Sequence, residues 1–364
     1  MMNRSCLRVL RYLLLPLLFT ALEAHAEPYL AVQTGFKCGQ CHVNPTGGGE
    51  RTVFGNVFAQ TQLAAKRLDA GGSDLWTGEV NRFLSIGGNV RGNFEYTKIP
   101  NSTYTDSFNL KQARVYAAVN VIPQRFFVYV DEQIAPGTAL NREVYGVYWS
   151  ANHQWYLKAG QMYLPFGLRL QDQTALINFP SGINMLLPDR GVELGFERGH
   201  WDAQLALTNG TTETTHGKQV SSQLAYVESM WRLGLAANFN SANTGGSKVV
   251  AGVFAGLRTG PIAWLGQVDL SDDHSLPVQS GRQLGTLLEA NWRIAQGHNL
   301  KLTHESRDPN RSVANDGQTR YSIVYEMTPI QFVQVRTGFR YSDGIPQVPT
   351  QHLKLGFVEL HGFF

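Results

Sequence analysis

From Phe83 to its end the chain alternates in polarity. Leu84, Ile86, Val90, Phe94 and Tyr96 share one phase, and Ser85, Asn89, Arg91, Asn93 and Glu95 take the other. Ala113, Val115, Ala117, Val119 and Val121 oppose Gln112, Arg114, Tyr116 and Asn120. Val249, Ala251, Val253, Ala255 and Leu257 repeat the pattern, as do Leu284, Thr286, Leu288, Ala290, Trp292 and Ile294. Successive side chains of a strand point to opposite faces, so each segment is expected to be a strand with one apolar side. The spacing predicts strands near 83–97, 107–122, 125–135, 141–151, 154–163, 189–198, 200–209, 218–228, 231–241, 248–259, 261–271, 281–295, 298–307, 317–328, 331–342 and 351–364. An even number puts both ends on one side.

A soluble β-sandwich carries the same alternation with its apolar phase inside, but four features favour a membrane. The first is the even strand count. The second is that short turns (Pro123-Gln124, Asn152-His153, Gly199, Gly260-Pro261, Gly297, Pro329) alternate with longer connections such as 136–140, 272–280 and 308–316. Outer-membrane barrels have short periplasmic turns, longer extracellular loops and aromatic girdles. The third is that Trp155, Trp201, Trp231, Trp264 and Trp292 fall near strand ends. The fourth is Phe364, the last residue of an amphipathic strand, which resembles the outer-membrane assembly signal of such proteins. Leu353, Leu355 and Phe357 run out of phase with Val358, Leu360 and Phe364, so a bulge is expected there. The fold class is therefore an all-β transmembrane barrel of about 16 antiparallel strands, preceded by a small α-helical domain.

The first 26 residues read as an address. Arg4, Arg8 and Arg11 precede an apolar run from Tyr12 to Leu22, and Ala24-His25-Ala26 ends it. That is a secretory signal peptide, too short for a spanning helix of about 20 apolar residues. Its removal takes Cys6 with it. It also lowers 31 basic and 28 acidic residues to 28 and 27, a net charge of +1 that gives no support to a nucleic-acid partner.

Cys38 and Cys41 then remain, in Lys37-Cys38-Gly39-Gln40-Cys41-His42. This C-x-x-C-H pattern attaches a c-type haem: two thiols add across the vinyl groups and the following His reaches the iron. A thioredoxin-like pair wants a βαβ setting, and a structural zinc wants four ligands; neither is offered nearby. Downstream, Asn44 to Gly49 is turn-rich. Val53, Phe54, Val57, Phe58, Thr61, Ala64, Ala65 and Leu68 recur at helical spacing, ending at Gly71-Gly72. Phe54, Val57 and Phe58 are expected as a docking face or as a wall of the haem crevice.

A second axial ligand is not evident between Glu27 and Val80. Candidates are Lys37, Lys66, Asn44, the Glu27 amine, or Met162 and Met185 further along, and a five-coordinate iron stays open. About 54 residues are too few to enclose a haem alone. The expected organisation is 1–26 signal peptide, 27–80 monohaem cytochrome c-like domain and 81–364 barrel.

By parity, Arg91, Arg114, Arg142, Lys158, Arg232, Arg293, Arg320, Arg336, Arg340 and Lys354 face the lumen, with Glu95, Asp131, Glu193, Glu197, Asp269, Glu289 and Glu326. Pairing between strands is the ordinary reading; a ring that grips the haem domain or favours anions is the functional one. The connection 164–188 is the longest, and a long extracellular loop often folds inward.

Gly160-Gln161-Met162-Tyr163-Leu164-Pro165-Phe166-Gly167-Leu168 resembles the strand-to-loop segment of the phosphate-selective porin family. The whole arrangement, with one C-x-x-C-H motif within Gln33–His42 ahead of a barrel, resembles the fused monohaem cytochrome–porins of the bacterial outer membrane. The best-known members of that family are regarded as ferrous-iron oxidases. The resemblance implies one covalent haem c on Cys38, Cys41 and His42, and residence in the outer membrane with both termini periplasmic. It implies electron transfer between an extracellular donor or acceptor and periplasmic redox proteins. No carboxylate or His cluster marks an iron site, so an extracellular metal oxidoreductase activity is left open. The alternatives are an anion-preferring solute porin with the haem domain as plug or redox gate, and a haem enzyme or sensor. Partners beyond lipid and redox proteins are not indicated; a homo-oligomer stays open.

Overall fold

The computed structural model describes residues 27–68, 75–210, 217–241, 246–274 and 281–364. The signal peptide and Gly71-Gly72 lie outside the described residues. Sixteen strands form the wall: β1 Leu84–Lys98, β2 Thr105–Ile122, β3 Phe126–Ala135, β4 Leu140–Trp149, β5 Trp155–Met162, β6 Asp189–Arg198, β7 Trp201–Thr208, β8 Gln219–Val227, β9 Trp231–Asn240, β10 Lys248–Thr259, β11 Ile262–Asp273, β12 Arg282–Ala295, β13 His298–Asp308, β14 Gln318–Ile330, β15 Val333–Asp343 and β16 Leu353–Phe363. Each pairs antiparallel with its neighbours in sequence. β16 returns to β1, with Gly362 opposite Val90 and Lys354 opposite Lys98, so the sheet closes and has no free edge. A three-residue strand, Glu79–Asn81, is added beside β1 at the mouth.

Alternation decides which face meets lipid. Along β9 every second residue, from Trp231 to Phe239, is exposed, and the residues between, Arg232 to Asn240, are buried. Trp155, Trp201, Trp231, Trp264 and Trp292 all project outward at the short-turn end, while Tyr96, Tyr104, Tyr321 and Tyr341 project at the long-loop end. An apolar band between two aromatic girdles is the exterior of a membrane-spanning barrel.

Some expectations need correction. β16 keeps an unbroken register against both neighbours, so the expected bulge is absent. Phe357 points inward over Gly338, where an added Cβ would come within 2.8 Å of its ring; a glycine on the next strand makes the room. Lys354 is exposed, in phase with the lipid-facing Val358 and Leu360, and Arg142 sits at an irregularity opposite Asp131 and Glu132. The turn expected at Pro329 falls later, at 331–332, where Phe332 takes φ 71°. Pro329 instead occupies a register shift between Met327 and Ile330, a place where its missing N–H costs no ladder bond.

The lumen is not an open channel. Lys158, Glu193, Asp131, Asp269, Asn291 and His361 point inward and are fully buried. Two bodies cover them: the helical segment, which enters from the short-turn end, and the connection 163–188, which folds in from the other.

Candidate functional site

The helical segment begins with α1, Pro28–Thr34, opened by Pro28 and closed by Gly35 in the left-handed region. A Cβ at Gly35 would strike the Ser229 backbone at 2.8 Å, so this glycine lets α1 end against a barrel turn. α2, Cys38–Cys41, is one helical turn. The Lys37 N–H donates to Gln40 Oε1 at 2.8 Å, and His42 N–H donates to Cys38 O at 3.0 Å. A bridge between His42 and Arg51 closes the loop that follows, with Thr52 N–H donating to Cys41 O at 3.0 Å.

α3, Val53–Phe58, is capped by the Thr52 hydroxyl, which accepts from Gly55 N–H at 3.1 Å. Gly55 lies against the Cys41 carbonyl, a contact no side chain would permit. The helix continues as a π-turn, Ala59–Leu63, and stops there rather than at Gly71. The reason is competition: Ala65 N–H donates to Thr328 O at 2.8 Å and Lys66 N–H to Pro329 O at 3.1 Å, so the chain docks on a barrel turn instead.

The barrel wall holds this segment at every turn. Glu27 is 4% exposed and its carboxylate lies 2.6 Å from Lys301 Nζ on β13. Arg232 on β9 donates to Phe36 O at 2.8 Å, and Arg258 on β10 donates to Gln33 O at 2.8 Å. Asn44 is fully buried: Oδ1 accepts from Thr46 N–H at 3.2 Å and lies 3.4 Å from Lys158 Nζ, while its amide donates to Glu143 at 3.1 Å. Lys158 in turn pairs with Glu193 at 2.8 Å.

The inward connection packs from above. Phe166 joins a cluster with Ala225, Val250 and Phe254, and Ile177 joins Leu170, Ala175 and Leu287. It is tied to the wall by charge at Asp172, which lies 2.9 Å from Arg320 and 2.6 Å from Arg340. Burial alone would raise the Asp172 carboxyl, but the two guanidiniums overcome it and hold the group well below the usual carboxylate range. Arg169 bridges the two bodies, donating to Thr46 Oγ1 at 2.5 Å and Gly47 O at 3.3 Å on one side and to Tyr163 O at 3.2 Å on the other.

Between them lies a cavity of about 1570 Å³, mouths included. Cys38, Cys41 and His42 line it together, as do Phe58, Met185 and five arginines: Arg51, Arg91, Arg114, Arg169 and Arg232. Phe54 and Val57 do not. α3 turns Gly55, Phe58 and Ala59 toward the cavity, and Phe54, 46% exposed, stacks edge-on against Phe36 at 5.3 Å. Met162 is buried in the wall in a cluster with Tyr129, Tyr145 and Tyr156, outside the cavity lining. Lys37 Nζ is turned away to Trp201 O, 2.6 Å distant.

The residues present fit a covalently held haem. Cys38 and Cys41 form no disulfide, and burial pushes the Cys38 thiol up to about 11, which keeps it neutral. Burial and the nearby Arg51 cation push the His42 imidazole down to about 3, so it is neutral at physiological pH, the form that ligates metals. Its Nδ1 is buried with no hydrogen-bond partner among the described residues. Gly47 leaves room over Cys38, where a Cβ would come within 3.2 Å of the Cys38 Cβ. Arginines around an apolar floor suit a flat apolar ring carrying carboxylates. Among the described residues no group of three or more His, Cys, Asp or Glu could hold a free metal ion.

Parity made Arg91, Arg114 and Arg232 legible as lumen-facing. Arg51 and Arg169 were missed, because neither sits on a strand and only the packing of the two bodies brings them together.

Closed wall, apolar exterior and paired girdles define a multi-pass β-barrel of the outer-membrane porin type. Solved structures agree on the fold. An anion-selective porin from Comamonas acidovorans superposes with a TM-score of 0.61 at 11% identity, covering 77% of this chain and 99% of its own. The outer membrane channel DcaP of Acinetobacter baumannii gives 0.58 at 12%, covering 83% and 100%. OmpT of Vibrio cholerae, in a trimer form, gives 0.57 at 10%, covering 77% and 99%. No protein-family model matches the chain, and no curated protein does.

Proposed function

We propose that this protein carries a covalently bound haem c inside a porin-type barrel and links an extracellular electron donor or acceptor to periplasmic electron carriers. One observation carries the reading: the C-x-x-C-H turn, Cys38–His42, faces a cavity enclosed by the barrel wall and the inward connection. A haem there supplies one-electron chemistry at its iron. The chain's own residues do the rest. Cys38 and Cys41 anchor the ring, His42 presents a neutral imidazole, and the arginines around the cavity offset acidic groups. The segment 27–68 and the connection 163–188 would narrow the access of bulk water. The apolar band of such barrels is about 25 Å tall, so a redox group serves both sides best when held within the lumen.

A second reading is favoured by the structural likeness, since the similar folds are channels and porins. In it, the barrel passes solutes, anions by preference, and the haem domain is a plug or redox gate. The burial of lumen side chains such as Lys158 and Asp269 supports a plugged state.

Purified protein is expected to show a c-type haem spectrum that Cys38→Ala and His42→Ala abolish or alter; an unchanged spectrum ends the haem assignment. In liposomes holding an internal redox dye, external reductant is expected to reduce the dye without leak of small anions. Free anion flux without dye reduction selects the porin reading.

A further inference from the structure

The cavity holds one thioether, and its placement is not that of a packing residue. Met185 lies on the inward connection, and its Cε reaches Gly48 beside the C-x-x-C-H turn: a Cβ at Gly48 would sit 2.7 Å from it. A methionine is most often gap-filling material. Met185, however, belongs to none of the buried apolar clusters of the described residues. Its backbone is fixed from two elements. The Met185 N–H donates to Gln173 Oε1 at 2.9 Å, and its carbonyl accepts from Arg114 at 3.4 Å. The next residue is held as well, Leu186 O accepting from Arg142 at 2.8 Å. The chain thus commits three side chains to the position of one flexible thioether.

Several other candidates for the same role are engaged elsewhere. Lys37 is bonded to Trp201 O and the Asn44 side chain to Glu143 and Thr46, and Lys66 is docked at Pro329 on the barrel rim, outside the cavity lining. Met162 is outside the cavity lining, and among the described residues no histidine but His42 lines it.

We infer that Met185 supplies the second axial ligand to the iron, completing a His/Met pair with His42. This rests on the haem reading above. The step is ligation alone: a lone pair on Met185 Sδ forms a coordinate bond, a weakly held water leaves, and no electron moves. A methionine in that position raises the reduction potential relative to a nitrogen ligand. Because the donor sits on the connection rather than in the helical segment, ligation also ties the two bodies across the cavity.

The test uses the full-length protein in detergent. The ferrous wild type is expected to resist carbon monoxide, and the ferric form to be low-spin. Met185→Leu is expected to bind carbon monoxide readily, turn high-spin and lower its midpoint potential. Met185→His should restore a low-spin spectrum at a potential below wild type, and it keeps the test informative should the leucine variant fold poorly. A leucine variant that retains the wild-type spin state, potential and carbon monoxide resistance overturns the assignment, as does a wild type that binds carbon monoxide as fast as Met185→Leu. Wild-type protein with no covalent haem would sink the underlying reading instead, so the two failures are separable.

Discussion

Lys301 Nζ on β13 lies 2.6 Å from Glu27 Oε2, an ion pair that joins the first described residue of the chain to the interior of the barrel wall. Lys301 also reaches Glu326 at 3.2 Å and Glu289 at 3.9 Å, so a single cation serves three buried carboxylates. Removing one partner of a buried pair costs about 3–5 kcal/mol, because the other is left uncompensated. Lys301→Met is therefore expected to loosen the helical segment by an amount of that order. Limited proteolysis of folded protein should then cut within 27–68 where the wild type resists. The double variant with Glu27→Gln should recover part of the loss; a purely additive result would mean that the pair is not coupled.

Gly49 and Gly137 give a matched comparison. Both have positive φ, +65° and +80°, but a Cβ at Gly49 would run into the Tyr129 hydroxyl, and at Gly137 it meets nothing within 4 Å. The left-handed conformation costs a side-chain-bearing residue roughly 1–2 kcal/mol in either place. Gly49→Ala is expected to cost roughly 1–3 kcal/mol more, since the Tyr129 oxygen also accepts the Glu50 N–H at 3.1 Å. Thermal unfolding followed in detergent should separate the two variants, with Gly137→Ala showing the backbone cost alone and Gly49→Ala the larger loss.

The Asp172 latch has a defined response to acid. Its carboxyl is held below the usual range in the folded protein, so the stability it contributes is present at neutral pH and disappears only as pH falls through that lowered value. The inward connection should therefore stay seated from pH 8 down to about 4, the ordinary carboxylate pKa. Asp172→Asn removes the charge at every pH and leaves Arg320 and Arg340 facing each other without it. Single-channel recording is expected to show a quiet wild type over that range and open events in Asp172→Asn at pH 7. Equal conductance for the two would mean that the latch does not hold the connection in place.

The wall was legible in the sequence almost residue by residue, because a strand with lipid on one side and water or a plug on the other must alternate. β6 and β10 fall at 189–198 and 248–259, where the polarity pattern places them. Phe357 broke the pattern because an inward apolar residue is allowed wherever a glycine such as Gly338 sits opposite. The C-x-x-C-H motif was legible from spacing alone, and the structure brings Cys38, Cys41 and His42 to one cavity. The rest of the cavity was not: Arg169 meets Thr46, and Met185 meets Gly48, only when two segments far apart in the chain enter the lumen from opposite ends. The extent of α3 was misread for a related reason, since its second half gives up helical bonds for Thr328 and Pro329 on the barrel rim.

The cavity wall has a consequence for the order of assembly. It is contributed by residues near 27–63, 91–114, 165–185 and 202–254, so no contiguous stretch of chain contains it. The last strand to be synthesised, β16, has to zip onto β1 before the cylinder exists at all. Cys38 and Cys41, by contrast, lie together on one helical turn. On the proposed haem reading, loading of the two thiols would therefore be separable from construction of the chamber that encloses them.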